Sequence, residues 1–256
     1  MAVGMITFSL NSGSNGNAIY VEAGGVRLLF DAGISGKQAA GRMRVHGRDI
    51  RDAHAIVISH DHADHVRCCG IYQRKFGLPI YMTRSTHHAT YCNLGPLNDV
   101  RYFKAGERLC FDGVTVHTIP TPHDAADGVA FIVEHDGKRL GIMTDLGHPF
   151  TELVRRLPAL DACYLESNYD PHMLEAGPYP LPLKQRIRGG AGHLSNVQAA
   201  ELIRTAGKRL KWAAIAHLSE ENNEPDLALA THRKHVGRTF PLFLASRYEV
   251  SEVMEI

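Results

Sequence analysis

The hexapeptide His60-Asp61-His62-Ala63-Asp64-His65 constrains this chain more than any other stretch. It follows Ala55-Ile56-Val57-Ile58-Ser59, a β-branched run that reads as a buried strand. Imidazole and carboxylate groups are costly to bury unless each finds a partner. They are also the donors that zinc, manganese and iron accept. A strand that ends and turns into a helix can aim alternate side chains of such a segment into one cavity. The chain is expected to build a metal site there.

Four more segments repeat the pattern of an apolar run followed by a polar turn. Val26–Phe30 leads into Asp31-Ala32-Gly33, and Val114–Ile119 into Pro120-Thr121-Pro122-His123-Asp124. Leu140–Met143 leads into Thr144-Asp145-Leu146-Gly147, and Ala213–Ala216 into His217-Leu218-Ser219. Taken singly, each His or Asp reads more readily as a strand-end cap or turn former than as a ligand. In this order behind the hexapeptide they point to one centre fed by several strand ends.

Strands are expected at Met5–Leu10, Ala18–Glu22, Val26–Phe30, Ala55–Ser59, Val114–Ile119, Val129–Glu134, Arg139–Thr144, Ala162–Glu166, Ala213–Ala216 and Tyr248–Val253. Glu134-His135-Asp136-Gly137-Lys138 reads as a hairpin turn. Helices are expected over Asp64–Phe76, over Ser195–Ala206 with Ser195 as N-cap and a close near Gly207, and over Pro225–His235. Glu175–Gly192, rich in Gly and Pro, is the least regular stretch. Two groups of strands among helices, with no repeat or linker, predict a single α/β domain over residues 1–256.

Lys and Arg number 28 against 27 Asp and Glu, so no global charge marks a nucleic-acid coat or an acidic tail. No apolar stretch approaches the roughly 20 residues of a membrane span, and Met1–Leu10 does not read as a secretory signal. Five cysteines (Cys68, Cys69, Cys92, Cys110, Cys163) form no C-x-x-C pair, which suits a reduced, cytoplasmic protein. Of the 16 histidines, His46, His54, His87, His88, His135, His232 and His235 belong to no motif.

The order of these motifs resembles the metallo-β-lactamase fold superfamily over nearly the whole chain. The resemblance implies an αββα four-layer sandwich with two divalent ions (Zn2+, Mn2+ or Fe2+) at its edge. By position it implies His60, His62 and His123 on one ion, Asp64, His65 and His217 on the other, and Asp145 between them. Asp61 would point away, and Asp31 would either support a ligand imidazole or close the turn. Such a pair activates water and polarises a phosphoryl oxygen, with Asp145 or Asp64 orienting the nucleophile.

Gly192-His193-Leu194-Ser195-Asn196 resembles the nuclease members, in which His193 would protonate the leaving oxygen and Glu166 would aim it. Ser12-Gly13-Ser14-Asn15-Gly16-Asn17-Ala18, Glu166-Ser167-Asn168 and His217-Leu218-Ser219-Glu220-Glu221-Asn222-Asn223 are similar to the bacterial YycJ/WalJ-type exonucleases. Asp61 stands where Glu is common in that family, and Tyr169 where His is frequent. The resemblance implies a 5′-to-3′ DNA exonuclease with a link to mismatch repair; no membrane partner is expected, since no apolar stretch is long enough to span one. RNA-processing nucleases, or thioesterases, lactonases and cyclic phosphodiesterases of the same fold, are the alternatives. A metal-binding scaffold that keeps the fold is disfavoured because every ligand is present. Lys184, Arg186 and Arg188, with the Ser14-Asn15 turn, are the candidate phosphate contacts. Basic residues in loops are also commonly just solvated.

Overall fold

The fold was obtained as a computed structural model that describes residues 4–206 and 209–256. Two seven-stranded sheets pack face to face. The first contains β1 (Ile6–Asn11), β2 (Ala18–Ala23), β3 (Val26–Phe30), β4 (Ala55–Val57), β5 (Ile80–Thr83), β6 (Val100–Phe103) and β14 (Met254–Glu255), in the order β14-β1-β2-β3-β4-β5-β6. The second contains β7 (Arg108–Phe111), β8 (Val114–Pro120), β9 (Val129–His135), β10 (Lys138–Met143), β11 (Ala162–Glu166), β12 (Trp212–Ala216) and β13 (Leu242–Leu244), in the order β13-β12-β11-β10-β9-β8-β7.

Alternation along the strands separates two kinds of apolar residue. Ile19, Val21, Leu28 and Phe30 face Val116, Phe131, Val133 and Tyr164 across the sandwich, with Phe30 and Phe131 ring centroids 5.0 Å apart. The opposite faces are covered by helices. Helix α1 (Gly36–Val45) and α3 (Cys69–Phe76) lie on the first sheet, placing Met43, Tyr72 and Phe76 against Phe8 and Tyr20. Helices α5 (Thr151–Arg156), α8 (Asn196–Thr205) and α9 (Pro225–Val236) cover the second, with Leu153, Leu202 and Ala228 against Leu165 and Ile215. This is the expected four-layer sandwich. No helix of the described residues is long and apolar enough to cross a membrane.

Local signals act as expected at several junctions. Asp136 and Gly137 take positive φ (47° and 72°) in the β9–β10 hairpin. Ser195 caps α8 in a capping box with Gln198; the expected close at Gly207 lies outside the described residues.

Three expectations are corrected. Asp64–Phe76 is two helices, α2 (Ala63–Val66) and α3, because the Cys68 N–H donates to the Ala32 carbonyl rather than to a helical turn. Tyr248–Val253 is not a strand: its Tyr248 and Ser251 carbonyls meet the side chains of Arg42 and His46, and pairing begins only at Met254. Within the stretch read as irregular lies α7 (Leu181–Arg188), whose Pro182 sits in the first turn, where its missing N–H costs nothing. A further short helix, α6 (Pro171–Ala176), precedes it, and α4 (Arg84–Ala89) follows β5.

Candidate metal centre

Strands β3, β4, β8, β10, β11 and β12 all end at one edge of the sandwich, and the chemistry collects there. Asp31, the His60–His65 loop, His123, Asp145 and His217 follow the last residues of β3, β4, β8, β10 and β12, and Glu166 ends β11. Asp31, Asp145 and His217 adopt the left-handed conformation (φ 65°, 55° and 56°). That turn takes the chain sharply out of the strand.

Four groups of donor atoms converge: His60, His62 and His123; Asp64, His65 and His217; His60, His65 and Asp145; and Asp145, Glu166, His193 and His217. The imidazoles are oriented from behind. His65 donates from Nδ1 to Asp31 at 2.7 Å, and His123 from Nδ1 to the Gly192 carbonyl at 2.8 Å. Ser59 donates to Asp31 at 3.0 Å, which leaves its Oγ to accept from His60 Nδ1 at 2.9 Å. His62 donates from Nε2 to the Asp124 carbonyl at 3.2 Å. Each ring therefore turns a lone pair inward: Nε2 of His60, His65 and His123, and Nδ1 of His62.

These inward atoms meet without satisfying one another. His60 Nε2 and Asp145 Oδ2 are buried with no hydrogen-bond partner. His65 Nε2 approaches Asp145 Oδ2 to 3.2 Å, and His62 Nδ1 approaches His123 Nε2 to 3.3 Å. His217 Nε2 lies 3.4 Å from Asp64 Oδ2 and 3.5 Å from Asp145 Oδ1. Buried donors that converge on shared points and leave lone pairs unpartnered fit divalent cations.

The electrostatics agree. Burial favours neutral carboxyls, yet His217, His65 and His60 hold Asp145 well below the usual range, and His65 and His217 do the same for Asp64. Burial also opposes charge on His217, but Asp145 and Asp64 raise it to about 9. Burial, reinforced by His65, pushes His60 well below the ordinary imidazole value. Without a cation, the facing imidazoles supply the positive charge that the two carboxylates attract; a divalent cation would take that place.

In the fourth of these donor groups, Glu166 is fully buried. It accepts from His193 Nδ1 at 2.5 Å and from the Leu146 N–H at 2.9 Å. A cleft of about 240 Å³ opens over the centre, lined by His62, Asp64, Asp145, His193 and His217 together with Ser14, Asn168, Tyr179, Leu183, Arg186, Ile187 and Ser219.

The structure divides the sequence-derived phosphate contacts. Ser14 and Arg186 line the cleft, with Arg186 Nε 2.5 Å from Asp124 Oδ2. Asn15 does not; its side chain bonds Asn11 and the Arg247 carbonyl. Lys184 and Arg188 turn to Glu175 on another face of α7. Asp61 points away, accepting from the Ala126 N–H at 2.9 Å. Sequence reading missed Tyr179, Leu183, Ile187 and the role of Asp124. The i, i+4 spacing of Leu183 and Ile187 was a helix-face signal masked by the neighbouring prolines. Asn17 was also passed over as a turn residue; it donates from Nδ2 to Asp64 Oδ2 at 3.2 Å.

A sandwich of this topology with a His/Asp centre at its edge defines the metallo-β-lactamase-type hydrolases. The chain belongs to that beta-lactamase superfamily, matching its domain over residues 26–214, and within it to the YycJ/WalJ-like family. It is 34% identical to the exodeoxyribonuclease WalJ of Streptococcus pneumoniae, covering 87% of this chain and 84% of that protein. It is 32% identical to the exodeoxyribonuclease YycJ of Bacillus anthracis, covering 86% and 84%. The crystal structure of the metallo-β-lactamase fold protein YhfI from Bacillus subtilis superposes with a TM-score of 0.76 at 16% identity, over 99% of this chain and 100% of that one.

Proposed function

We propose that this chain is a dinuclear metal-dependent phosphodiesterase that degrades DNA as a 5′-to-3′ exonuclease, in the setting of DNA repair. His60, His62 and His123 would hold one divalent ion, and Asp64, His65 and His217 the second. Asp145 would bridge them. Zinc, manganese and iron(II) all suit this donor set. The reading draws on the exodeoxyribonuclease names of the relatives. The observation that carries it is the Glu166–His193 pair beside the clustered ligands.

When bound, such an ion pair supplies Lewis-acid polarisation of a phosphoryl oxygen and activates water near neutral pH. The residues of the chain do the rest. Glu166, fixed by the Leu146 N–H, holds His193 by Nδ1, so a proton for the departing sugar oxygen comes from Nε2. Asp145 and Asp64, held as carboxylates, orient the attacking water and accept its proton. Arg186, placed by Asp124, takes a phosphate oxygen at the mouth of the cleft. Asn168 fixes the backbone of His217, donating to its carbonyl at 3.0 Å.

The test is digestion of 5′-phosphorylated, 5′-hydroxyl and 3′-blocked duplexes, with matching RNA, under zinc, manganese and iron(II) in turn. Stepwise release of nucleotides from DNA 5′ ends is expected. Intact DNA and RNA under every metal would refute the reading.

A further inference from the structure

The metal ligands and His193 account for bond cleavage but leave one wall of the cleft without a task. That wall comprises Tyr179, Leu183 and Ile187, with Arg186 beside them. Leu183 and Ile187 are one turn apart on α7, and both are half-buried, as is Tyr179. No residue of α7 is fully buried, so this face packs against no hydrophobic core. It presents apolar surface to the cleft instead, beside Tyr179, which precedes the helix.

Charge runs unevenly along the wall. Arg186 is exposed and cationic, and Asp124 holds it in place. The charges of Glu221 and Glu220, opposed in part by Arg247, bear on the Tyr179 hydroxyl. Glu220 pairs with Arg247 at 2.8 Å, whereas Glu221 makes no ion pair among the described residues. Phosphates are drawn to the Arg186 end and repelled from the Tyr179 end, where an uncharged planar group is the better occupant.

We propose that Tyr179, Leu183 and Ile187 form a nucleobase platform that receives the terminal base of the strand being cut, while the polyanion leaves past Arg186. This rests on the phosphodiesterase reading and deepens it. The wall selects an end bearing a base, and Tyr179 is a binding residue that takes no part in proton transfer.

The experiment compares two oligodeoxynucleotides under the activating metal: one with an ordinary terminal nucleotide at the attacked end, one with an abasic tetrahydrofuran there. Wild type is expected to process the abasic end about tenfold less efficiently, mainly through KM, the scale of one lost base–aromatic stack. Tyr179→Leu should lose about tenfold on the ordinary end, also in KM, and cease to distinguish the two. Tyr179→Phe should keep the preference. If Tyr179→Leu does not fold, Leu183→Asn on the same face should give the same weakened preference. Equal processing of both ends by wild type, or undiminished discrimination by Tyr179→Leu, overturns the platform while the phosphodiesterase reading stands. Absence of wild-type cleavage on both strands overturns the phosphodiesterase reading and the platform with it.

Discussion

The loop His60–His65 and the wall Tyr179–Arg188 face the same cleft but are built on opposite terms. In the loop, His60 and His65 are buried, each ring is held from behind, and the backbone is pinned by neighbours. Asn17 N–H donates to Asp64 O at 2.7 Å, and Ala32 N–H to His65 O at 2.7 Å. The wall has no buried residue in its helix and is tied down by pairs such as Arg188–Glu175 and Arg186–Asp124 on exposed side chains. Surface pairs of this kind contribute only about 0–1 kcal/mol each. On the proposed reading, the difference would put reaction chemistry on rigid strand ends and substrate choice on a lightly anchored element.

The comparison is broken most directly at the loop. His62→Ala should reduce cleavage of every phosphodiester to background and lower the bound metal measured by atomic emission; full activity would detach the loop from the chemistry. His193→Ala should lower kcat on DNA by about 10²–10⁴-fold with metal content unchanged. The same variant should lose far less on bis(p-nitrophenyl) phosphate, whose leaving group needs no proton. Equal losses on both substrates would make His193 a ligand or a structural residue instead of the acid.

Behind the rigid half, His232 is buried and lies 3.0 Å from Ser167, which bonds Asn196 at 2.6 Å. Burial, with His235 adding to it, depresses the His232 pKa to about 4. The unfolded chain takes up this proton near pH 6.5 while the folded one resists to about pH 4. This site therefore removes stability as pH falls through that window, by about 3 kcal/mol in all. His232→Gln should flatten the acid side of a pH–Tm profile. An unchanged slope would assign the loss to other groups.

Gly33 tests how tightly the loop is seated. A Cβ there would lie 1.7 Å from the Asp64 carbonyl oxygen. Gly33→Ala should cost about 1–3 kcal/mol in denaturant unfolding and weaken metal binding with it. At the wall the expected effects are smaller. Arg186→Gln should raise KM about fivefold, on the scale of one ordinary net hydrogen bond of about 1 kcal/mol. Arg188→Gln, facing Glu175, should change KM less than twofold. Equal effects would mean that the exposed faces of α7 act together as a diffuse basic patch.

What was legible in sequence follows the same division. That the hexapeptide, Asp145 and His217 would converge could be read because a dense cluster of such groups after a β-branched run has few other physical uses. Asp136-Gly137 and the Ser195 cap were legible because their chemistry is local. β5, β6, β7 and β13 were missed: Val100–Phe103 and Arg108–Phe111 are short, half-exposed edge segments, and Leu242–Leu244 has three residues. The Asp112-Gly113 turn before β8, with φ of 40° and 86°, was a usable hairpin signal. Arg186 could not be told from Lys184 and Arg188 until α7 was known to be a helix, since only its face decides which cation meets the cleft. His232 gave no signal at all; its role depends on Ser167, far away in sequence.

Asp31, Asp145 and His217 bend their backbones into a region that costs side-chain-bearing residues about 1–3 kcal/mol each. Glycine enters that region freely, and among the other residues aspartate, asparagine and histidine enter it most readily. The fold and the chemistry therefore make competing demands at the same three positions. A library of variants ranked by melting temperature alone would drift toward glycine at Asp145, whose buried Oδ2 has no partner, while the bonds from Ser59 and His65 would hold Asp31. Its best survivors would be well-formed sandwiches that had lost the reaction.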